Sequence, residues 1–165
     1  MTTPPPPPPR RHAMSDVLRE LMARELVSAR LGDATLSSDD VAPEANPAQR
    51  TQLWLLQLLL PDLVAALETI IVESPKKQHV RRLAGGLLTY VYNPLDLVGD
   101  HTQFGRVDDT IICALGLLRL YDRDHVQLSP GVLGICALAE TVLPLLEPGL
   151  QDDIRAFVSD LEKAT

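Results

Sequence analysis

The fold is decided by residues 83–120, which read LAGGLLTYVYNPLDLVGDHTQFGRVDDTIICALGLLRL. Two apolar segments, residues 83–92 and 111–120, are joined by an acidic elbow, which we define as residues 93–109. Segments that are apolar on every side are typical of helices in the centre of a bundle or in a membrane. Three glycines would let two such helices approach closely, and these are Gly85, Gly86 and Gly116. We therefore predict a central apolar helical hairpin.

Proline marks the predicted helix boundaries in the rest of the chain. A proline in the first helical position loses no hydrogen bond, and a serine or asparagine before it can cap the helix. Four such pairs occur: Asn46-Pro47, Ser74-Pro75, Asn93-Pro94 and Ser129-Pro130. They predict helices that begin at residues 47, 75, 94 and 130. We expect Pro61 to break the first helix, and Pro144 and Pro148 to end the last but one.

The N-terminal third is predicted to hold an arm, a helix and a linker. Pro4 to Pro9 are six consecutive prolines, so residues 1–13 are expected to be a disordered or polyproline II arm. Ser15 is predicted to cap a helix that reaches about Leu31. We divide the chain into the arm (1–13), the N-terminal helix with an acidic linker (14–45) and a helical domain (46–165). The predicted fold is all-α, a compact bundle of about six helices.

Composition limits the classes of protein that fit. The chain of 165 residues is long enough for one domain of roughly 100–150 residues with tails. A net charge of −7 argues against a general nucleic-acid binder, because such proteins normally carry a basic face. Cys113 and Cys136 lie in apolar runs and predict buried free thiols in a reducing compartment. The most apolar run, residues 53–72, is interrupted by Pro61 and two acidic residues, so we expect a soluble cytoplasmic protein without a membrane span.

The elbow resembles the signature of a known family. Its motif residues are Tyr90, Asn93, Pro94, Asp96, Leu97, Val98 and Asp100, followed by Gly105, Asp108 and Asp109. Their order and spacing over about 38 residues are similar to those of the YkvA-like domain, a small helical module of unknown function found mainly in bacteria. The resemblance implies a helical fold and brings no catalytic residues or cofactor. Some relatives are regarded as membrane-associated.

Four aspartates in the elbow admit two interpretations: Asp96, Asp100, Asp108 and Asp109. Hard cations prefer several carboxylate oxygens, so the four could form a divalent-metal site or supply acid–base catalysis. In the structural interpretation, Asp96 completes a capping box with Asn93, Asp108 caps the next helix and Asp109 lies at its positive end. Adjacent residues on a helix point about 100° apart, which suits Asp108 and Asp109 poorly to one ion. We favour a structural clasp, with no metal and no cofactor.

A basic run opens the helix predicted at residue 75, and its cations are Lys76, Lys77, Arg81 and Arg82. Positive charge at a helix N-terminus opposes the helix dipole, so another group is expected to hold it. A solvated face, pairing with the acidic elbow, and a phosphate or lipid headgroup are the alternatives. The favoured function is a non-enzymatic interaction module, in which the proline-rich arm and the first helix recruit another protein and the helical core is a rigid scaffold. The motif Pro5, Pro8 and Arg10 in the arm matches a ligand for an aromatic-lined groove. The alternative is a peripheral membrane protein that uses residues 76–82 on an anionic surface.

Overall fold

The structure is a computed structural model, and it describes residues 15–20, 22–23, 44–92 and 106–165. Within these residues the chain forms an all-α bundle, which confirms the predicted fold class. Residues 15–20 and 22–23 are helical, and six further α-helices follow them: α1 (Pro47–Gln57), α2 (Leu60–Glu73), α3 (Gln78–Val91), α4 (Val107–Asp124), α5 (Pro130–Val142) and α6 (Pro148–Ala164). A short 3-10 turn, Leu143–Leu145, separates α5 from α6. The proline-rich arm and elbow residues 93–105 lie outside the described residues.

Helix α4 is the centre of the bundle, because it packs against each of the other five helices. Eleven of its 18 residues are buried, among them every residue from Val107 to Ala114. Helix α3 packs mainly on α2 and α4 and more lightly on α6. It buries the stripe that contains Val80, Leu83, Leu87 and Val91, but Arg81, Arg82 and Thr89 are exposed. The predicted hairpin of α3 and α4 is therefore present. Helix α4 is the central one, whereas α3 is amphipathic and exposes one face.

Two of the predicted helix starts are confirmed by their caps. Asn46 and Gln49 form a reciprocal capping box, in which the Gln49 N–H donates to Asn46 Oδ1 at 3.0 Å and the Asn46 N–H donates to Gln49 Oε1 at 2.8 Å. Ser129 Oγ accepts from the Val132 N–H at 3.3 Å at the start of α5. Pro61 also acts as predicted, because α1 ends at Gln57 and α2 begins at Leu60.

The predicted start at residue 75 is wrong, because α3 begins three residues later at Gln78. Ser74 ends α2 instead, and its N–H donates to Ile70 O at 3.0 Å. Residues 74–77 form a turn closed by the Lys77 N–H, which donates to Ser74 O at 3.2 Å. A serine before proline suits both the end of one helix and the start of another, and here the preceding helix uses it. The predicted start at residue 94 lies outside the described residues.

The glycines differ in what they allow. A Cβ on Gly116 would collide with the Leu87 side chain, so α3 and α4 approach closely at that point as predicted. A Cβ on Gly86 would meet Leu161 of α6, whereas Gly85 has no neighbour within 4 Å of that position. Gly86 therefore permits a contact with α6, and Gly85 permits none.

The N-terminal helical residues join the same core. Leu18 and Met22 are four residues apart, which puts them on one face of a helix, and both are buried. The Ser15 hydroxyl donates to Glu68 Oε2 at 3.0 Å, and Arg19 Nη2 donates to Asp62 Oδ1 at 2.9 Å. Ser15 lies within the helix, and its side chain binds α2 where a cap for its own helix was predicted.

Among the described residues one stretch, Pro47–Glu73, is long and apolar enough to cross a membrane by length and composition. It comprises two helices, α1 and α2, with a break at Leu58 and Leu59. In its most apolar window, 44% of the residues are buried inside the bundle. The core helix of a soluble protein passes the same test, so the stretch is weak evidence for a span.

Candidate functional site

A group of buried polar side chains lies where α3 ends and α4 begins. We call Tyr90, Arg106, Asp108, Asp109 and Thr110 the buried polar cluster. Asp108, Asp109 and Thr110 are 0% exposed, Tyr90 is 5% exposed and Arg106 is 8% exposed. Charged side chains are almost never buried to this extent unless they are paired, so their partners decide what the site does.

Hydrogen bonds in the cluster join the two helices of the hairpin. Tyr90 Oη, in the last turn of α3, donates to Asp108 Oδ2 at 2.7 Å. Arg106 Nη1 donates to Asp109 Oδ2 at 3.2 Å and to the carbonyl oxygen of Val91 at 3.3 Å. The Tyr90 ring also packs on Phe157 of α6, with the ring centroids 4.6 Å apart. The cluster therefore connects three helices through side chains.

The first turn of α4 holds the acidic side chains in place. Arg106 stands at the N-cap position without a side-chain cap, and Asp108 and Asp109 follow in the first helical turn. The Thr110 hydroxyl donates to the Arg106 carbonyl oxygen at 2.6 Å, which fixes the backbone of this turn. Carboxylates in a first turn lie near the positive end of the helix dipole, an interaction worth about 0.3–1 kcal/mol.

The predicted roles of the two carboxylates are partly corrected. Asp108 is not the N-cap, because it lies two residues inside the helix and binds the Tyr90 hydroxyl. Asp109 does lie near the positive end of α4, and it also forms an ion pair with Arg106. The other proposed elbow residues lie outside the described residues: Asn93, Pro94, Asp96, Asp100 and Gly105. The capping box of Asp96 and the four-aspartate metal site therefore stay predictions.

Within the described ranges, no group of three or more His, Cys, Asp or Glu side chains is placed to hold a metal ion. The sequence analysis did not single out Arg106 or Thr110, and it named Tyr90 without assigning it a hydrogen-bond partner. Arg106 lies three residues before Asp109, a spacing that brings side chains together on a helix, and this was the available signal. Tyr90 is a hydroxyl inside an apolar helix, which is a signal for a buried hydrogen bond.

The two cysteines are buried, as predicted, and are not joined to each other. Burial raises the pKa of the Cys113 thiol well above its usual value, and the nearby Asp109 carboxylate raises it further. Burial is also the main cause that raises the pKa of Cys136 to about 11. The thiolate is the nucleophilic form of cysteine, so both side chains are unreactive near neutral pH.

Of the four cations in the basic run, Lys77 contacts the far end of α4, as does the neighbouring His79. Lys77 Nζ donates to the carbonyl oxygen of Asp124 at 2.8 Å, and His79 Nε2 lies 2.6 Å from Asp124 Oδ1. Because α3 and α4 are antiparallel, cations at the start of α3 meet the negative end of the α4 dipole. The first turn of α3 thereby gains the countercharge that its own dipole does not provide.

Pairing with the acidic elbow is one of the alternatives for the basic run, and neither Arg81 nor Arg82 pairs with the two elbow carboxylates that the structure describes, Asp108 and Asp109. Both arginines are exposed near the start of α3, and Arg82 lies roughly 14 Å along the helix axis from Val91, the last residue of α3. Asp109 is paired with Arg106. Lys76, Arg81 and Arg82 form no ion pair with the residues that the structure describes, so this part of the run is a solvated basic surface.

A cleft of about 730 Å³ lies near the same end of the bundle. We call it the α2–α5 cleft, because its walls are one face of α2, the turn at residues 74–77 and the segment at residues 125–132, which leads into α5. Its position was not predicted, since the cleft depends on how α2 and α5 pack around α4.

Comparisons of the chain with protein-family models, with curated proteins and with solved structures find no match. The resemblance to the YkvA-like domain therefore rests on the elbow residues alone and stays a prediction.

Proposed function

We propose that the protein is a non-enzymatic helical scaffold that binds another protein, and that the buried polar cluster is a structural clasp between α3 and α4. The observation that carries the proposal is the complete burial of Asp108 and Asp109. Their carboxylates bind Tyr90 and Arg106, which belong to the same core. A general acid or base must reach the proton that it transfers, and these side chains have no exposed surface.

The energetics of the cluster favour the same role. Removing one partner of a buried ion pair costs about 3–5 kcal/mol, because the other charge stays buried. Such a cluster therefore fixes one arrangement of α3 and α4. The YkvA-like resemblance, which brings no catalytic residues, is consistent with a scaffold.

For the protein partner we propose the proline-rich arm as the recruiting element. Its P-x-x-P-x-R motif, with Pro5, Pro8 and Arg10, fits domains that bind polyproline II helices in aromatic grooves. The test is affinity capture from the native host with the full chain, followed by mass spectrometry. We expect a partner that Arg10→Glu/Arg11→Glu loses and that Arg81→Glu/Arg82→Glu retains.

The control variant carries the same change of charge on an exposed part of α3, so it separates motif recognition from net charge. Equal loss of the partner in both variants would contradict recruitment by the arm. Recovery of no partner that depends on Arg10 and Arg11 would contradict it as well.

A second candidate function, peripheral membrane association, is favoured by one observation at the corner between α2 and α3. Val72 is 77% exposed, and it lies four residues from the first of the cations Lys76, Lys77, Arg81 and Arg82. An exposed apolar side chain beside several cations suits an anionic membrane surface. The net charge of −7 opposes this role.

Flotation with anionic vesicles at physiological salt tests the membrane candidate. We expect the protein to stay in solution. Retention on the vesicles that is lost in Lys76→Glu/Lys77→Glu would replace the scaffold proposal with the membrane one. Arg119→Glu/Arg155→Glu, on the exposed surfaces of α4 and α6, is the control for net charge.

A further inference from the structure

The α2–α5 cleft has the size and the lining of a small-molecule site. Its volume of about 730 Å³ lies within the range of roughly 300–1,000 Å³ that is usual for ligand pockets. Its apolar lining is aliphatic and comes from both walls: Ala65, Ala66, Ile70, Val126, Leu128 and Val132. The cleft lies at the end of the α3–α4 pair that is opposite to the buried polar cluster, so the clasp does not occupy it.

Charged groups also line the cleft. They are Lys76, Lys77 and His125 on one hand and Asp62 and Glu73 on the other. The Asp62 carboxylate accepts from Arg19 at 2.9 Å, and Asp16 lies 3.7 Å from the same arginine. The cleft is lined by as many lysines as carboxylates, two of each. Lys76 and Lys77 are adjacent in the turn at residues 74–77, whereas Asp62 lies near the start of α2 and Glu73 at its end.

The lysines differ in how far they are engaged. Lys77 Nζ donates to a neutral acceptor, the Asp124 carbonyl oxygen, and forms no ion pair with the described residues. Lys76 is exposed and binds none of the described residues. The end of α2 and the start of α5 both lie at the cleft, and their partial charges are opposite in sign and offset each other. The adjacent lysine side chains therefore supply positive charge at the end of the cleft formed by the turn at residues 74–77.

We propose that the α2–α5 cleft binds a small anionic amphiphile, taken up as a free molecule from solution. The apolar body of the ligand lies against the aliphatic lining, and its carboxylate or phosphate head contacts Lys76 and Lys77. This inference goes beyond the scaffold function and is independent of it. A lipid within a bilayer carries the same kind of anionic head, but it would present only that head to the lysines and would keep its apolar chain in the membrane.

Binding is tested with octanoate, 1-octanol and octylammonium, each as a monomer in solution, by amide chemical shifts of the full-length protein. We expect octanoate to cause saturable shifts at residues that line the cleft. It should bind more tightly than octanol, and octylammonium should bind most weakly, because the chains match and only the head differs. Shifts that do not saturate, or that fall mainly outside the lining, would overturn the proposal, and so would octylammonium binding as tightly as octanoate.

Two pairs of variants test the head and the body separately. Lys76→Glu should weaken octanoate binding about fivefold, the order expected for one exposed charge pair, and should leave octanol unchanged. Arg82→Glu carries the same charge change outside the cleft and should have no effect. An equal loss in both variants would overturn a role for Lys76.

Thr69→Trp fills the cleft from an exposed position on α2, and it should abolish binding of both octanoate and octanol. Thr89→Trp is its control, because both threonines are exposed and both hydroxyls donate to the carbonyl oxygen four residues earlier, at 2.8 Å. Unchanged octanoate binding in Thr69→Trp would place the ligand elsewhere. Vesicles of phosphatidylserine form the remaining arm, and association with them that survives Thr69→Trp but not Lys76→Glu would replace the free amphiphile with a membrane surface.

Discussion

The Tyr90 hydroxyl donates to the Asp108 carboxylate across 2.7 Å, and neither residue is more than 5% exposed. The bond joins residues 18 positions apart, from the end of α3 to the start of α4. A hydrogen bond to a charged group contributes about 1.5–3 kcal/mol, which is more than a neutral bond contributes. Loss of the donor also leaves a buried carboxylate with one fewer partner.

Tyr90→Phe should therefore lower the free energy of unfolding by about 1.5–3 kcal/mol. The substitution keeps the ring that packs on Phe157 and removes only the hydroxyl. Urea unfolding provides the measurement, and Tyr121→Phe, at an exposed position on α4, is the control, with an expected change within about 0.5 kcal/mol. Equal effects of the two variants would show that the Tyr90 bond contributes nothing specific.

The Arg106–Asp109 pair should behave as a buried ion pair. Arg106→Met or Asp109→Asn alone is expected to cost about 3–5 kcal/mol, and the double variant should cost less than the sum. A double-mutant cycle by urea unfolding measures the coupling. Asp160 and Lys163 form a matched control with the same spacing, because their side chains are 74% and 72% exposed and lie 2.9 Å apart.

The control cycle should give a coupling of about 0.2–1 kcal/mol, as surface pairs do. A coupling of the same size in both cycles would contradict the structural role assigned to Arg106.

The acidic elbow should show no dependence of stability on divalent ions. Thermal melts with chelator and with added Mg²⁺, Ca²⁺ or Mn²⁺ should coincide, whereas an ion that binds only the folded state would raise the melting midpoint. Asp108→Ala should lower the midpoint clearly. The sequence predicts the same for Asp96→Ala and a smaller effect for Asp100→Ala. If an added ion raises the melting midpoint in a saturable way and Asp96→Ala abolishes that rise, the acidic elbow is a metal site and the structural role is wrong.

Cys136 should make the stability of the protein depend on pH in the alkaline range. Its pKa is about 11 in the folded protein and close to 9.0 when the thiol is exposed, so the folded state holds more protons between these values. The contribution of Cys136 is complete below pH 9 and is lost as the pH rises through 11, at no more than about 1.4 kcal/mol per pH unit. The decline in unfolding free energy from pH 9 to 11 should be shallower in Cys136→Ala than in the wild type. Parallel profiles would contradict this assignment.

The sequence predicts those parts of the fold that depend on local interactions. Asn46 and Ser129 cap their helices because the cap needs only the next three residues, and these are visible in the sequence. Ser74 has the same local pattern, but the preceding helix continues to Glu73 and uses Ser74 as its end. Competition between two neighbouring helices for one residue is not visible in a capping pattern.

The site was harder to predict, because its chemistry depends on burial. The spacing of Arg106 and Asp109 indicates a pair, but nothing local indicates that this pair is buried while Asp160 and Lys163 are exposed. Burial follows from the position of α4 at the centre of the bundle. The cleft is harder still to predict from the sequence, because its lining comes from α2, from the turn after α2 and from the segment before α5.

The clasp has a consequence for the connectivity of the chain. Tyr90 and Arg106 hold α3 to α4 through side chains, and Lys77 and His79 hold the opposite ends of the same two helices at Asp124. The pairing of these helices is therefore maintained at both ends by contacts other than the peptide that joins them. We therefore expect that the chain can be cut between residues 92 and 106 and that the two fragments reassemble. A circular permutant whose new termini lie between these residues should likewise keep the bundle intact.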